Sequence, residues 1–292
     1  MPVIKPAASD YTAFVKASAQ YVGAGSNAVV SKSGRGMTAP PGLGASVRAS
    51  FVGLKSSPST SALILQYVNP PAAAADVPAA APTLPTTQSA DAYIVKYTTA
   101  GVVQWYTTIS GTASDVGNAI TTDSTDVYVS GSYNSTGPVT LYNGDSGSGL
   151  ASSLKSLPTS QGGDVFIVKY TTAGVVQWYT TISGTGVDYG YGITTDLTGV
   201  YATGYYNSPT GPVTLYNGDS GSGLVSSGKS LPTSRGVDAY IVKYTTAGVV
   251  QWYTTISGTG SDTGNAITTD STGVYVTGFY NSTGRPLLTN GA

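Results

Sequence analysis

Sixteen residues, YTTAGVVQWYTTISGT, occupy Tyr97–Thr112 and return without a substitution at Tyr170–Thr185 and Tyr244–Thr259. Self-similarity of this kind constrains a fold more than any local motif. Each copy must adopt one structure, and neighbouring copies must tile against each other. Trp105, Trp178 and Trp252 are the three tryptophans of the chain, spaced 73 and 74 residues apart, and the region from Asp91 onward follows that period. Each unit opens with DAYIVKY or DVFIVKY. It continues through GVVQWYTTI, an Asp-containing Gly-rich turn, NAITTD or YGITTD, and then VYVSGSY, VYATGYY or VYVTGFY. A longer segment, PVTLYNGDSGSGL…KSLPTS, follows, and the third unit stops at RPLLTNGA.

The four runs of each unit predict strands, because they are rich in Val, Ile, Tyr, Thr and Trp and bounded by Gly, Asn, Asp and Ser. In Val102–Ile109, Val103, Trp105, Thr107 and Ile109 share one face, and Val102, Gln104, Tyr106 and Thr108 the other. Both faces are apolar or amphipathic, as expected where sheets stack on both sides. Gly101, Gly174 and Gly248 read as hairpin turns, and Asp123–Asp126, Asp196–Gly199 and Asp270–Gly273 as tight connections between strands. Four short antiparallel strands per unit, stacked radially, follow the logic of a β-propeller blade. The fold class expected is all-β, with β-propeller-like repeats of four-stranded antiparallel blades in about three units.

The third unit, DAYIVKYTTAGVVQWYTTISGTGSDTGNAITTDSTGVYVTGFYNSTG, resembles the SBBP family, a β-propeller repeat of bacteria and viruses. The family pattern runs from an Asp-Ala-aromatic strand through a Gly turn and a Trp or Tyr strand. It ends in a Gly-Asn-Ile strand and a Val-Tyr-Val-Thr-Gly strand. The resemblance covers Asp91–Gly284 and implies the propeller fold, with little said about function. The inserted PVTLYNGDSGSGLASSLKSLPTS makes these units longer than the usual blade.

Strand counting leaves closure open. Asp91–Ile109 supplies two strands, Asn118–Ile182 four, Tyr191–Ile256 four and Asn265–Tyr280 two, which makes three blades if the terminal pairs combine. Propellers usually close with roughly four to eight blades. The N-terminal part adds blades, or several chains close one ring, or the sheets stack without closing, or a very small ring forms. A compact three-unit arrangement completed by oligomerisation is the expectation.

Residues 1–68 differ from the repeats and read as an anchoring or assembly segment. SDYTAFVKASAQYV spaces Tyr11, Phe14, Val15, Tyr21 and Val22 as one helix face, interrupted at Ser18, with Ser9 or Asp10 as N-cap. ASVRASFVGL and SALILQYV read as strands. Residues 69–90 are rich in Pro and Ala and read as a semi-rigid linker. Residues 91–292 form the repeat domain. The N-terminus shows no apolar run of signal-peptide length behind a basic start.

Only 9% of residues are charged, against about 25% in an average protein, and the net charge is −1. A chain without concentrated Lys and Arg is not built to bind nucleic acid or an anionic membrane surface. It has neither Cys nor His. Disulfides, thiolate metal sites and the usual catalytic triads are therefore excluded.

The remaining candidates recur with the repeat. Asp91, Asp164 and Asp238 open the units, Asp115, Asp188 and Asp262 follow SGT, and Asp123, Asp196 and Asp270 sit at hairpins. Recurrence at turn positions favours backbone capping over acid–base chemistry or Ca²⁺ ligation. NGDSGSG, at Asn143–Gly149 and Asn217–Gly223, has one carboxylate and reads as a flexible Gly/Ser loop. Lys96, Lys169 and Lys243 read as blade-edge guards or partners of a carboxylate. Trp105, Trp178 and Trp252 read as packing residues, whereas Tyr133, Tyr206, Tyr280, Tyr142 and Tyr216 are candidates for an interaction surface. Asn134 and Asn281 lie in Asn-Ser-Thr sequons, read as chance in a Ser/Thr-rich chain.

An enzyme on a repeat scaffold breaks the repetition where unlike groups converge. Here the copies stay alike even at polar positions, so no catalytic, cofactor or metal residues are assigned. The expected function is a non-enzymatic structural or interaction protein. The resemblance, with an opening like those of large-virus proteins, points to a virion component (minor capsid, vertex or fibre). The partners expected are other structural proteins of an assembly, including further copies of the chain. The alternative is an extracellular or cell-surface module binding glycans; a propeller hydrolase or lyase is the third reading.

Overall fold

The structure is a computed structural model that describes residues 82–87 and 89–291. The expected N-terminal helix and strands, and most of the linker, lie outside the described residues. Among the described residues all regular structure is strand. The first unit forms β1 (Ala92–Tyr97), β2 (Val103–Ser110), β3 (Asp115–Thr122), β4 (Asp126–Tyr133), β5 (Val139–Tyr142) and β6 (Ser152–Leu157). The second forms β7 (Asp164–Thr171), β8 (Val176–Ser183), β9 (Tyr189–Asp196), β10 (Gly199–Tyr206), β11 (Val213–Asn217) and β12 (Val225–Leu231). The third forms β13 (Asp238–Tyr244), β14 (Val250–Ser257), β15 (Ser261–Thr269), β16 (Val274–Asn281) and the short β17 (Leu287–Leu288).

Sheets and sequence units are out of phase. The second sheet runs β3-β4-β7-β8-β11-β12, and the third runs β9-β10-β13-β14-β17, every pair antiparallel. Each takes its inner hairpin from the middle of one unit and its remaining strands from the start and end of the following unit. The described array therefore begins with β1-β2-β5-β6, which has no inner hairpin among the described residues, and ends with an inner hairpin alone, β15-β16. The four-stranded antiparallel core of each whole sheet is the expected blade. Two expectations are corrected. The inserted segment is a hairpin, β5–β6 or β11–β12, that adds two outer strands to the preceding sheet. The terminal pairs do not combine: among the described strands β15 and β16 form a ladder with each other alone, beside a single bridge from Ser261 to Val237.

Local chemistry explains the repeated hairpin. The Gly101 amide donates to the Thr98 carbonyl at 2.9 Å, and Gly101 takes φ +82°. Gly174 and Gly248 do the same at +85° and +87°. A type I turn followed by a left-handed glycine adds one residue to the strand, and the register slips after Lys96, Lys169 and Lys243 alike.

Period-two alternation then builds the core. On β7, Phe166, Val168 and Tyr170 face the first sheet, packing with Ala92, Ile94, Trp105 and Ile109. Val165 and Ile167 face the third sheet, packing with Val200, Tyr206, Tyr240 and Val242. Both faces are buried because a sheet lies on each side. The inner strands β3, β9 and β15 lie side by side: Asn118 Nδ2 donates to the Gly190 carbonyl at 2.9 Å, and a Cβ on Gly192 would meet Ala266 Cα at 3.2 Å.

Candidate functional site

The tryptophans sit where sheets meet. Tyr128, Lys169 and Trp178 are cross-strand neighbours on one face of the second sheet. Trp178 lies 6.2 Å from the Tyr128 ring at 52°, and Lys169 Nζ lies 5.5 Å above that ring. Both Trp178 Nε1 and Lys169 Nζ donate to the Thr246 carbonyl in the turn of the third sheet, at 3.1 and 3.2 Å. Trp105 and Lys96 make the same bonds to the Thr172 carbonyl, at 3.1 and 2.9 Å. Trp105 and Trp178 are buried; Trp252, with no following turn to cover it, is half-buried. Lys169 and Lys243 lie on central strands, which corrects the edge-guard reading for these two; Lys96 lies on β1, an outer strand among the described residues. The carboxylate alternative fits Lys169, whose bridge to Asp126 at 3.0 Å is the one salt bridge among the described residues.

The aspartates divide into two kinds. Asp123, Asp196 and Asp270 cap hairpins as expected: Asp196 accepts from the Thr198 and Gly199 amides at 2.7 and 3.0 Å and from the Tyr201 hydroxyl at 3.0 Å. The other six recurring aspartates lie in neighbouring pairs, Asp91 with Asp115, Asp164 with Asp188 and Asp238 with Asp262. Asp188 is sealed; burial pushes its pKa up to about 7, against the Asn207 amide and with the Asp164 carboxylate beside it. Burial likewise raises Asp115 and Asp164 to about 6. Among the described residues no group of three or more acidic side chains is placed to hold a metal.

Tyr133 and Tyr206 were expected at a surface. They are 1% and 0% exposed, inside the inter-sheet cores, with their hydroxyls beside Asp164 and Asp238. Their place next to an inter-sheet carboxylate makes them packing residues in these positions. Tyr142 and Tyr216 are half-buried on β5 and β11. Tyr280 alone of the set lies open, at 70% exposure. The sequons have a structural job as well: Ser135, buried beside exposed Asn134, accepts from the Thr112 and Ala113 amides at 3.1 and 3.2 Å.

Two features escaped the sequence reading. NGDSGSG is a closed turn: Asp145 accepts from the Ser148 and Gly149 amides at 2.7 and 3.0 Å, and Asp219 from those of Gly221, Ser222 and Gly223 at 2.6 to 2.9 Å. The residues before that Asp clip one sheet to the next. The Gly144 amide donates to the Gly174 carbonyl at 2.8 Å, and Asn143 Oδ1 accepts from the Val176 amide at 3.0 Å. Gly218 with Gly248, and Asn217 with Val250, repeat the clip at 2.8 and 3.0 Å. Identical spacing of NG and TAG in both units was the available signal.

The second feature is the inequality of like positions. Tyr93 is 63% exposed where Phe166 and Tyr240 are 0% exposed, and Tyr275 is 52% exposed where Tyr128 is 0% exposed. The two ends of the sheet array therefore present apolar and aromatic groups whose equivalents are core. These ends are the candidate interaction surfaces.

No family model matches the chain. It is 31% identical over 212 residues to an uncharacterized WD repeat-containing protein of Acanthamoeba polyphaga mimivirus, in an alignment covering 68% of this chain and 14% of that protein. The chain thus spans about one seventh of the length of the curated relative it matches. The relative's repeat description is consistent with the propeller-like blades seen here, and its source is a large DNA virus.

Proposed function

We propose that the repeat domain is a non-enzymatic assembly module, of the SBBP repeat type, in a virion component of a large DNA virus: a minor capsid, vertex or fibre protein. Its blades contact other structural proteins of the particle. The observation that carries this reading is the exposure of core-type aromatics at the two ends, Tyr93 and Tyr97 on one and Tyr275 and Tyr280 on the other. Apolar groups concentrated where a repeat array is interrupted mark contact with another protein surface. The mimivirus relative supports the viral setting.

Absence of catalysis is supported by the carboxylate pairs. Asp164, Asp188, Asp238 and Asp262 are sealed at or below 2% exposure, out of a substrate's reach. The glycan reading loses two of its stacking platforms with the burial of Tyr133 and Tyr206. The test is quantitative mass spectrometry of purified particles. The protein is expected at a fixed copy number relative to the major structural protein, and its absence from washed particles would overturn the reading.

A further inference from the structure

The strand β16 pairs with β15 along one edge, and among the described residues its other edge is free. The strand β1 pairs with β2, and among the described residues its other edge is free. In the two whole sheets the corresponding edges are joined. β4 meets β7 from Asp126↔Thr171 to Tyr133↔Asp164, and β10 meets β13 from Val200↔Tyr244 to Tyr206↔Asp238. The free edges carry equivalent residues at the same positions, so each end of the described array is one half of an interface that the chain already makes twice.

We propose that two copies of this chain join head to tail, β16 of each pairing antiparallel with β1 of the other, to close a six-bladed ring. The inference rests on the assembly reading above and names its nearest partner as a second copy. Carried over, the register puts Val274 opposite Tyr97, Val276 opposite Val95 and Tyr280 opposite Asp91 of the second copy. The joined sheet then runs β15-β16-β1-β2-β5-β6, the order of the whole six-stranded sheet. Tyr93 and Tyr97 take the buried places of Phe166 and Tyr170, and Tyr275 that of Tyr128. Each exposed aromatic on one end thereby meets the position its counterpart occupies inside the chain.

An independent contact points the same way. A Cβ on Gly174 would meet Gly144 Cα at 2.9 Å, and one on Gly248 would meet Gly218 Cα at 2.9 Å, because each turn is clipped by the preceding sheet. The equivalent Gly101 has the same left-handed φ, yet a Cβ there meets nothing within 4 Å. Its missing clip is Asn290–Gly291, which follows β17 as Asn143–Gly144 follows β5. In the closed ring, Gly291 of one copy meets Gly101 of the other. The half-buried Trp252 likewise gains the Thr99 carbonyl, the counterpart of Thr172 and Thr246.

Blade number selects two copies. Joined end to end, the described residues of each chain contribute three blades: two whole sheets and one shared between copies. Two chains give six, within the roughly four to eight at which propellers close; one chain gives three and three chains give nine, both outside. A head-to-tail contact that closes gives a ring rather than a filament.

The full 292-residue chain, measured by light scattering at micromolar concentration, is expected at twice 29.5 kDa. Tyr93→Asp places a carboxylate in water in a single chain and inside the joined blade in the ring. It is expected to weaken association on the order of 100-fold and return the mass to 29.5 kDa. Leu197→Asp, at the fully exposed β9–β10 turn, is the control that keeps the doubled mass. The chain has no cysteine, so a Val95→Cys/Val276→Cys double variant reports register. Antiparallel partners lie about 4.5 to 5.5 Å apart at Cα, within disulfide reach, and a covalent dimer is expected on a non-reducing gel. A 29.5 kDa species indifferent to Tyr93→Asp, or a disulfide closed within one chain, overturns the proposal. A monomer that still co-purifies with particles removes the pairing and leaves the assembly reading. A doubled mass in a protein absent from particles does the reverse.

Discussion

Asp188 is fully buried, with the Asn207 amide on Oδ1 at 3.1 Å and no hydrogen-bond partner on Oδ2. An unfolded Asp titrates near about 3.9, whereas burial holds this one at about 7. Between those values the folded chain binds more protons than the unfolded chain, so stability falls as pH rises and levels off above the folded pKa. Asp115 and Asp164, raised to about 6 by burial, act in the same direction. The turn caps act oppositely and at lower pH: hydrogen bonds, first from the Thr272 hydroxyl, hold Asp270 at about 2, so its contribution is lost only below about pH 4. We expect the melting temperature to fall from about pH 4.5 to about pH 7.5. Asp188→Asn, which keeps an acceptor for Asn207, flattens that slope; circular dichroism melts across a pH series check it, and an unchanged slope would sink the idea. The sequence made each Asp legible as a recurring turn residue. It did not reveal that six of them pair, because Asp164 and Asp188 meet only when β7 and the turn before β9 are brought together.

Among elements, the clipped hairpin is the part whose role only contacts reveal. Gly101, Gly174 and Gly248 have identical neighbours in sequence and the same backbone conformation. Within a single chain, Ala at Gly101 meets only the left-handed penalty, about 1 to 2 kcal/mol. Ala at Gly174 also drives a methyl into Gly144 Cα at 2.9 Å and the Trp105 ring at 3.1 Å. Urea unfolding of the single chain, kept apart by Tyr93→Asp, should therefore show Gly174→Ala as the more destabilising by about 1 to 3 kcal/mol, the usual cost of overpacking. Equal losses would mean that the clip yields freely. Asn217→Ala leaves the Val250 amide without its acceptor and is expected to cost about 1 to 3 kcal/mol by the same measurement. Strand type and hairpin turns were legible from Gly spacing and alternation. The inserted segment gives no strand reading from sequence, because its Ser-rich second half, SSLKSL in β6, carries little strand signal of its own. Pairing with β5 decides it.

For the molecule as a whole, cohesion comes from apolar packing between sheets and backbone pairing within them. Only 9% of the chain is charged, and Lys169–Asp126 is the one salt bridge among the described residues. Salt screening weakens charge pairs and leaves apolar burial largely untouched. We therefore expect the melting temperature and the doubled mass to change little between about 0.05 and about 0.5 M NaCl. Dissociation at high salt in light scattering would show that the chain ends meet through charges instead.

The repeat by itself determined the blade. Three copies of one hairpin, each with a left-handed glycine and a Trp-bearing strand, leave a radial stack of antiparallel sheets as the arrangement that buries both faces. Only the tertiary structure decided where one blade stops and the next begins. Sheets are assembled from the middle of one unit and the start and end of the next, and backbone hydrogen bonds do not record which unit their residues came from. That offset buries Tyr133 and Tyr206 while leaving Tyr280, the same residue at the same place in its unit, facing solvent. Identical sequence thus takes unequal environments, because an open array has two ends and its interior units have none.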